Sequence, residues 1–225
     1  MTTAESWATA VRRRLGPGRL LPLGEATDGA WLTERAARGV LLSAAAAVRG
    51  AAPGSLRVGL VAPSGEEPLP VPPGGLPPGP LRITAEFAAT AGIPLPGLAE
   101  AVRQALFSAA GTVLGLAVTE VDLRVTGLVE TEDGGRDEPS AAPPPGRTSP
   151  AAEDPAALEA LAVDGVAALT DVLGAPVHRS EGALRVELAV TAGHRALDVA
   201  RAVRTRLTAS APRGTAVTVL VSEIR

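Results

Sequence analysis

The sequence predicts an α+β fold made of two tandem copies of a small two-layer module. The first observation is an internal repeat: residues 83–107 align without a gap onto residues 184–208, and ten of the 25 aligned pairs are identical. The second is that strand-like runs of alternating apolar and polar residues are interspersed with stretches of helical spacing. Each copy therefore predicts the order helix–strand–strand–helix–strand, with both helices on one face of a small sheet.

Alanine is abundant in this chain and inflates such matches, but the repeat also keeps charged residues and apolar character. The unmatched pair Ile83 and Leu184, for example, stays apolar where a strand needs it. The identical pairs are Glu86/Glu187, Ala88/Ala189, Thr90/Thr191, Ala91/Ala192, Gly92/Gly193, Ala99/Ala200, Ala101/Ala202, Val102/Val203, Arg103/Arg204 and Leu106/Leu207.

The elements of the first copy follow one another between residues 31 and 125. Its predicted helices span residues 31–49 and about 97–112, and its predicted strands span 56–61, 81–89 and 117–125. Apolar residues 121, 123 and 125 alternate with Asp122 and Arg124 in the last strand. We therefore expect that strand to have one buried face and one solvated face.

The second copy begins with a predicted helix over residues 155–173, in which Asp154 is the N-cap and Pro155 takes the first helical position. Strands are predicted over 177–179, 184–190 and 217–221. A helix between the last two carries Val199, Val203 and Leu207 on its apolar stripe and Arg201 and Arg204 on its outer side.

Polar and charged residues are expected on the open face of each sheet. They are Thr84, Glu86, Asp122 and Arg124 in the first copy, and Arg185 and Glu187 in the second. Opposite charges on neighbouring strands contribute only about 0.2–1 kcal/mol per pair. The pattern therefore favours an ordinary solvated face, and a dedicated partner surface is the alternative interpretation.

Proline, glycine and acidic residues divide the chain into four parts. Residues 1–31 are expected to be a leader, and residues 32–128 the first module, interrupted by a Pro/Gly loop over 62–80. Residues 129–154 are acidic and then proline-rich, which predicts a disordered linker. Residues 155–225 form the second predicted module.

Composition excludes several classes of protein. The 225 residues contain no cysteine, so disulfides, thiolate catalysis and cysteine-based zinc sites are excluded. The longest apolar stretch, residues 40–48, is too short to span a bilayer, and no signal-peptide pattern is present. The sequence therefore predicts a soluble cytoplasmic protein.

Candidate catalytic and ligand residues are few. His178 and His194 are the only histidines, with Ser180 and Asp198 nearby in sequence, but their positions indicate a turn and a helix start rather than a triad. The Thr-Ala-Gly segments at 90–92 and 191–193 precede helices, and a glycine that leaves a strand explains them better than an anion site. The sequence predicts no catalytic, cofactor-binding or metal-binding residue, and no enzymatic activity.

Nucleic-acid binding is the alternative function, because small α+β modules of this order include RNA-binding domains. The net charge of −3 argues against it, as does the absence of a basic Gly-x-x-Gly loop and of exposed aromatic residues on the predicted strands. The basic cluster formed by Arg12, Arg13, Arg14 and Arg19 could contact anionic lipid, a protein or only water.

Four segments resemble the alkaline-shock-protein family of envelope stress proteins. They are the alanine-rich run with Val163-Asp164-Gly165-Val166, the strand-to-helix passage 186–203, the closing strand 217–221 and, in the first copy, residues 115–127. The chain also resembles an actinobacterial group of double-module proteins that carry the label nucleopolyhedrovirus P-ten family. Together, residues 32–128 and 155–225 carry the resemblance.

The resemblance implies a non-enzymatic scaffold or adaptor linked to cell-envelope stress or homeostasis. It further implies protein–protein contacts, with self-association and a small membrane-anchored protein as partners. Such a protein would have no membrane span of its own and would lie at the inner face of the membrane. These implications are expectations, with a nucleic-acid-associated regulatory protein as the alternative.

Overall fold

A computed structural model of the chain describes residues 18–61, 71–130 and 154–225, and the structural statements below concern these residues. Helices and strands both contribute to it, and the predicted α+β class is confirmed. Most of the predicted linker, residues 131–153, lies outside the described residues. So do residues 1–17 of the leader and 62–70 of the Pro/Gly loop.

Nine strands and four α-helices are present in the described parts of the chain. The strands are β1 (Leu20–Leu23), β2 (Ala30–Thr33), β3 (Ala51–Leu60), β4 (Leu81–Thr90), β5 (Val118–Val129), β6 (Val166–Leu169), β7 (Val177–Ser180), β8 (Ala183–Val190) and β9 (Ala216–Ile224). The helices are α1 (Glu34–Ala46), α2 (Leu95–Ser108), α3 (Pro155–Leu161) and α4 (Ala196–Ser210). A 3-10 turn at Ala26–Asp28 and a π-helical segment at Ala109–Leu114 complete the set.

The strands form two sheets. The larger sheet has the order β1-β2-β9-β8-β6, with β7 also paired to β8, and the smaller sheet has the order β3-β4-β5. In both sheets the strand before a helix pairs in parallel with the strand after it, as β4 does with β5 and β8 with β9. Strand β2 also runs parallel to β9, and the remaining pairs are antiparallel.

One continuous hydrophobic core is built from both sheets and all four helices. Helix α1 contributes the stripe Ala37, Leu41 and Ala45, and the equivalent leucines Leu106 of α2 and Leu207 of α4 are both fully buried. The predicted apolar stripe of α4 is thus confirmed. The two repeats do not have separate cores, although the sequence treats them as modules joined by a linker.

The boundary predicted at residue 31 is wrong, because part of the predicted leader belongs to the larger sheet. Residues 20–33 form the antiparallel hairpin β1–β2, and β2 pairs with β9 near the other end of the chain. Trp31, predicted to open a helix, lies in β2 and packs in a small cluster with Leu20 and Leu220. The helix begins at Glu34 instead, where the side chain of Thr33 accepts a hydrogen bond from the N–H of Ala36.

The helix predicted over 155–173 also ends early. Asp154 caps it as expected, since its carboxylate accepts from the N–H of Ala156 at 2.8 Å. The helix stops at Leu161 because Gly165 takes a left-handed conformation, with φ of 86°, and the chain then enters β6. A Cβ at residue 165 would lie 2.7 Å from Val199, so glycine is required there for space as well as conformation.

The shared core predicts that truncating one repeat destabilises the whole molecule. Leu207→Ala should lower the free energy of a single cooperative unfolding transition by about 2–5 kcal/mol, because it leaves a cavity in the common core. Chemical denaturation followed by circular dichroism and by tryptophan fluorescence would measure this, since Trp31 reports on the hairpin.

Leu106→Ala should have an effect of the same size on the same transition, and the exposed Arg206→Ala should change stability by no more than about 0.5 kcal/mol. Two separate transitions, with only one of them shifted by each leucine variant, would contradict the shared core.

Candidate functional site at the outer edge of strand β5

Strands β5 and β9 occupy equivalent positions in the two repeats. Each carries an extra residue near its C-terminal end relative to its parallel neighbour, Thr126 in β5 and Ser222 in β9. The hydroxyl of Thr126 donates to the carbonyl of Phe87 at 3.3 Å, and that of Ser222 donates to the carbonyl of Leu188 at 3.3 Å. Equivalent residues of the two strands are therefore 96 positions apart.

The repeated arginine of the following helix supports the same correspondence. Arg103 donates from Nε to the carbonyl of Val121 at 3.5 Å, and Arg204 donates in the same way to the carbonyl of Val217 at 3.1 Å. Val121 and Val217 are also 96 positions apart. The outer side predicted for Arg204 is thus only partly solvated, because the guanidinium reaches the edge of the sheet.

Strand β2 fills the outer edge of β9 in the second repeat. Residues 30–32 pair in parallel with residues 219–221, and the N–H of Val219 donates to the carbonyl of Gly29 at 3.0 Å. In a parallel pair, the N–H and C=O of one residue point to the same side of the strand. Val219 therefore directs both groups outward, and its counterpart in β5 is Leu123.

The outer edge of β5 has no paired strand among the described residues, although β5 is the longest strand there, with 12 residues. By the correspondence with Val219, the backbone groups of Leu123 point outward. Three large apolar side chains are exposed on the last five residues of β5: Val125 is 37%, Leu128 65% and Val129 42% exposed. A long edge strand with exposed apolar side chains is a template for strand pairing.

Other sheet edges in the described chain are short or protected. Two backbone hydrogen bonds between Leu20 and the segment 71–80 cover β1. On β3, Pro53 lacks a donor, a bulge follows it, and the guanidinium of Arg19 donates to the carbonyl of Val58 at 2.7 Å. Strands β6 and β7 have only four residues each. Such features discourage the addition of another strand.

The open face of the smaller sheet is charged, as the sequence predicts. Arg82 of β4 pairs with Glu120 and, at 3.5 Å, with Asp122, while Glu86 of β4 lies 3.6 Å from Arg124. Exposed pairs of this kind contribute about 0–1 kcal/mol each. The side chains of Asp122 and Arg124 remain 61% and 78% exposed, so both are accessible beside the open edge.

Glu187, the counterpart of Glu86, is buried, which corrects the prediction of a solvated face in the second repeat. The loop between β6 and β7 folds over its carboxylate, which accepts from the N–H groups of Val172 at 2.8 Å and Leu173 at 3.0 Å. In the first repeat, the longer strand β3 leaves Glu86 open to solvent, and only the hydroxyl of Ser55 donates to it from β3.

Glu187 belongs to a chain of buried polar groups that reaches the hairpin. The hydroxyl of Thr170 donates to Glu187 at 2.8 Å and lies 2.5 Å from the hydroxyl of Ser222. Thr33, at the end of β2, donates to the carbonyl of Ser222 at 2.8 Å. These four are the buried polar side chains of the described residues, so the buried polarity is concentrated where β2 meets β9.

The two histidines lie at opposite ends of strand β8. His178 lies in β7 beside the beginning of β8, whereas His194 lies beyond the end of β8, with Nε2 3.4 Å from Asp164. Asp198 is in the first turn of α4, as predicted, and pairs with Arg195 at 3.3 Å. The structure thus separates the residues that a triad would need to bring together.

The two repeated Thr-Ala-Gly segments form turns. Gly92 and Gly193 have φ of 86° and 91°, so each supplies the left-handed conformation that the sequence indicated. In both turns the threonine carbonyl accepts a hydrogen bond from the residue after the glycine. These contacts give the repeated segment a structural role in the turn.

A surface cleft lies between α3, the β7–β8 turn and the end of α4. Three of its lining side chains are paired: Arg179 donates to Asp154 at 2.9 Å, and Ser210 donates to Glu159 at 2.6 Å. The described residues contain no group of three or more histidines and carboxylates placed to hold a metal ion.

No protein-family model, curated protein or solved structure matches this chain. In the described residues, no helix combines the length and the apolar character required to cross a membrane. The resemblance to alkaline-shock proteins thus remains a prediction, and the geometry of the sheet edges is the strongest guide to function.

The contrast between the two repeated glutamates predicts unequal effects of the same substitution. Glu187→Ala should lower the free energy of unfolding by about 2–4 kcal/mol, because it leaves two N–H groups and one hydroxyl without their acceptor. Glu86→Ala, at the equivalent exposed position, should lower it by no more than about 1 kcal/mol. Urea denaturation of both variants would measure the difference, and equal effects would contradict the buried role of Glu187.

A pH dependence follows from the burial of Glu187. Burial raises the pKa of this carboxyl above its ordinary value, although the hydrogen bonds from Thr170, Leu173, Val172 and Ser222 oppose the rise. The folded state then holds the proton more tightly than the unfolded state, so the contribution of Glu187 to stability is complete at acid pH. It is lost as pH rises through the folded-state pKa.

Glu187→Gln removes this titration and keeps the shape of the side chain. The stability of the variant relative to the native protein should therefore rise as pH increases above about 4, the ordinary range of a glutamate, and level off above the folded-state pKa of Glu187. Asp28 and Asp154 have pKa values lowered by their hydrogen bonds with Arg201 and Arg179, but both chains share these effects and they cancel in the difference. A difference that stays flat across this range would show that the pKa of Glu187 is not raised.

Proposed function

We propose that this protein is a non-enzymatic scaffold or adaptor that binds other proteins by accepting a strand at the outer edge of β5. The observation that carries the proposal is the contrast between equivalent edges. In the second repeat, the edge of β9 takes β2 as an added strand, while the same position in β5 has no paired strand in the described chain.

Strand addition suits this edge for a physical reason. The backbone N–H and C=O groups of an edge strand supply most of the affinity, and side chains beside them supply specificity. Around Leu123, β5 offers outward backbone groups, and the exposed Val125, Leu128 and Val129 offer apolar area that a bound strand would cover.

The link with cell-envelope stress or homeostasis rests on the resemblance to the alkaline-shock-protein family. In that setting, the protein acts at the inner face of the membrane, and a small membrane-anchored protein is the partner that recruits it. The charged face beside β5, with Asp122 and Arg124 well exposed, is available to select among strands that carry complementary charges.

A nucleic-acid-associated role has less support. The open face of the smaller sheet alternates acidic and basic residues, so it presents no continuous positive surface to a phosphate backbone. Neither that face nor the outer edge of β5 carries an aromatic side chain on which a base could stack. The net charge of −3 points in the same direction.

Val125→Pro tests the proposed edge. Val125 is the counterpart of Val221, at the end of the segment of β9 that pairs with β2, so its N–H is expected to point outward. Proline removes that donor and is tolerated on an outward edge position. Tagged full-length protein, cross-linked in native cells and purified, should lose its bound proteins when it carries this substitution.

Val125→Thr is the matched control, because it keeps the N–H and the branched side chain, and it should retain the bound proteins. An integral membrane protein in the native eluate is the expected result of the envelope link. If Val125→Pro retained the same proteins as the control, the β5 edge would not be the binding site. A nuclease-sensitive eluate would favour the nucleic-acid alternative instead.

A further inference from the structure

We infer that the strand accepted by β5 is β5 of a second copy of this chain, paired antiparallel about a two-fold axis at Leu123. The inference rests on the proposed function, because it names the partner of the same edge. Such pairing joins two three-stranded sheets into one six-stranded sheet with the order β3-β4-β5-β5-β4-β3.

The backbone of β5 limits where regular pairing can occur. The register with β4 shifts at Thr119 and again at Thr126, so residues 120–125 form the regular stretch between two irregularities. Within it, residues 121, 123 and 125 are the counterparts of 217, 219 and 221, and their backbone groups face outward. The Val121 carbonyl already accepts a long hydrogen bond from Arg103 at 3.5 Å, so it must accept a second hydrogen bond or release Arg103 when the strands pair. Pairing of Leu123 with Leu123 of the second copy makes these residues the hydrogen-bonded positions of an antiparallel ladder.

The side chains of the two β5 strands are complementary in this register. Val121 lies opposite Val125 of the second copy, and the two-fold axis repeats that contact, so the exposed valine becomes covered on both strands. Asp122 lies opposite Arg124 of the second copy, again twice. These two residues occupy the positions between the hydrogen-bonded pairs, where opposite side chains approach most closely.

A shift of the pairing by two residues keeps the charged faces of both β5 strands on the same side of the joined sheet, but it loses this complementarity. A shift of two residues in one direction places Asp122 opposite Asp122, and a shift in the other direction places Arg124 opposite Arg124. Like charges directly opposite one another are unfavourable. The charge pattern of β5 thus selects one self-pairing register and makes it self-complementary, as a two-fold interface requires.

The blocked edge of β3 gives the assembly a natural end. After two β5 strands pair, the outer strands of the joined sheet are the two copies of β3, which carry Pro53, a bulge and the Arg19 contact with Val58. The sheet cannot continue to grow by the same mechanism. A closed dimer is therefore expected rather than a fibre.

Charge reversal tests the register. In a homodimer, Asp122→Arg places an arginine opposite Arg124 of the second copy, and Arg124→Asp places an aspartate opposite Asp122. Each single variant should raise the dissociation constant of the dimer by about tenfold or more, since two attractive pairs become repulsive. Sedimentation velocity of the purified full-length chains over a range of concentrations would measure this.

The decisive measurement mixes the two single variants. In a mixed dimer, the arginine introduced at position 122 of one chain lies opposite the aspartate introduced at position 124 of the other. The native Arg124 of the first chain lies opposite the native Asp122 of the second. Both cross-strand contacts therefore again join opposite charges. The mixture should therefore dimerise as well as the native protein, within a few-fold. The double variant with Asp122→Arg and Arg124→Asp should also recover dimerisation. A strand from another protein, or from residues 131–153 of the same chain, would not produce this reciprocal rescue.

Matched controls make the same charge changes away from β5. Glu181→Arg in the β7–β8 turn and Arg206→Asp on α4 are both at exposed positions, and neither should alter the dissociation constant. Thermal unfolding of every variant would show whether the β5 substitutions leave the fold intact, which is expected because the pairs they break with Arg82 and Glu86 are exposed.

Two results would overturn the inference. One is a native protein that stays monomeric at several hundred micromolar, and the other is a dimer that the single reversals leave unchanged or that mixing fails to restore. If the native chain is monomeric but Val125→Pro still releases its bound proteins, the proposed function stands with a different occupant. If the reciprocal rescue occurs but Val125→Pro keeps the other bound proteins, the self-pairing stands and the proposal that other proteins bind through this edge fails.

Discussion

The parallel pairing of β2 with β9 is the contact on which the rest of this structure depends. It joins residues 30–32 to residues 219–221, and the buried hydroxyl of Thr33 closes its end by donating to the carbonyl of Ser222. The same Thr33 caps α1, whose apolar stripe enters the common core. Thr33 thus links the β1–β2 hairpin to β9 and to α1. This contact joins the beginning of the first repeat to the end of the second.

The two repeats differ more at the edges of their sheets than in the arrangement of their strands and helices. Both keep the bulge on the last strand, the arginine that reaches its edge and the glycine that ends the first helix. They differ at Glu86 and Glu187, where the first repeat has the longer strand β3 and the second has a loop that encloses the carboxylate. They differ again at the outer edge of the last strand, which is covered in the second repeat and open in the described part of the first.

Local patterns in the sequence were sufficient for much of the fold. The stripe of Val199, Val203 and Leu207 and the cap at Asp154 both depend on neighbours within one or two turns of chain, and the structure confirms them. The helical position predicted for Trp31 is wrong because its partner Leu220 is far away in sequence, and no local pattern identifies such a partner. The helix predicted over 155–173 is too long because the alanine-rich run continues past Gly165, whose backbone conformation ends the helix.

The sequence also does not predict the open edge of β5. Alternation of apolar and polar residues indicates which face of a strand is buried, but not which strands lie beside it. Only the topology shows that the counterpart of Val219 lacks a partner strand in the described chain.

The pairing of β2 with β9 also has a consequence for synthesis of the chain. Strand β2 leaves the ribosome long before β9 exists, and contacts of such separation form slowly. The hairpin must wait, with Trp31 and its apolar neighbours uncovered, until the final strand arrives, which is a period when chaperones have reason to bind.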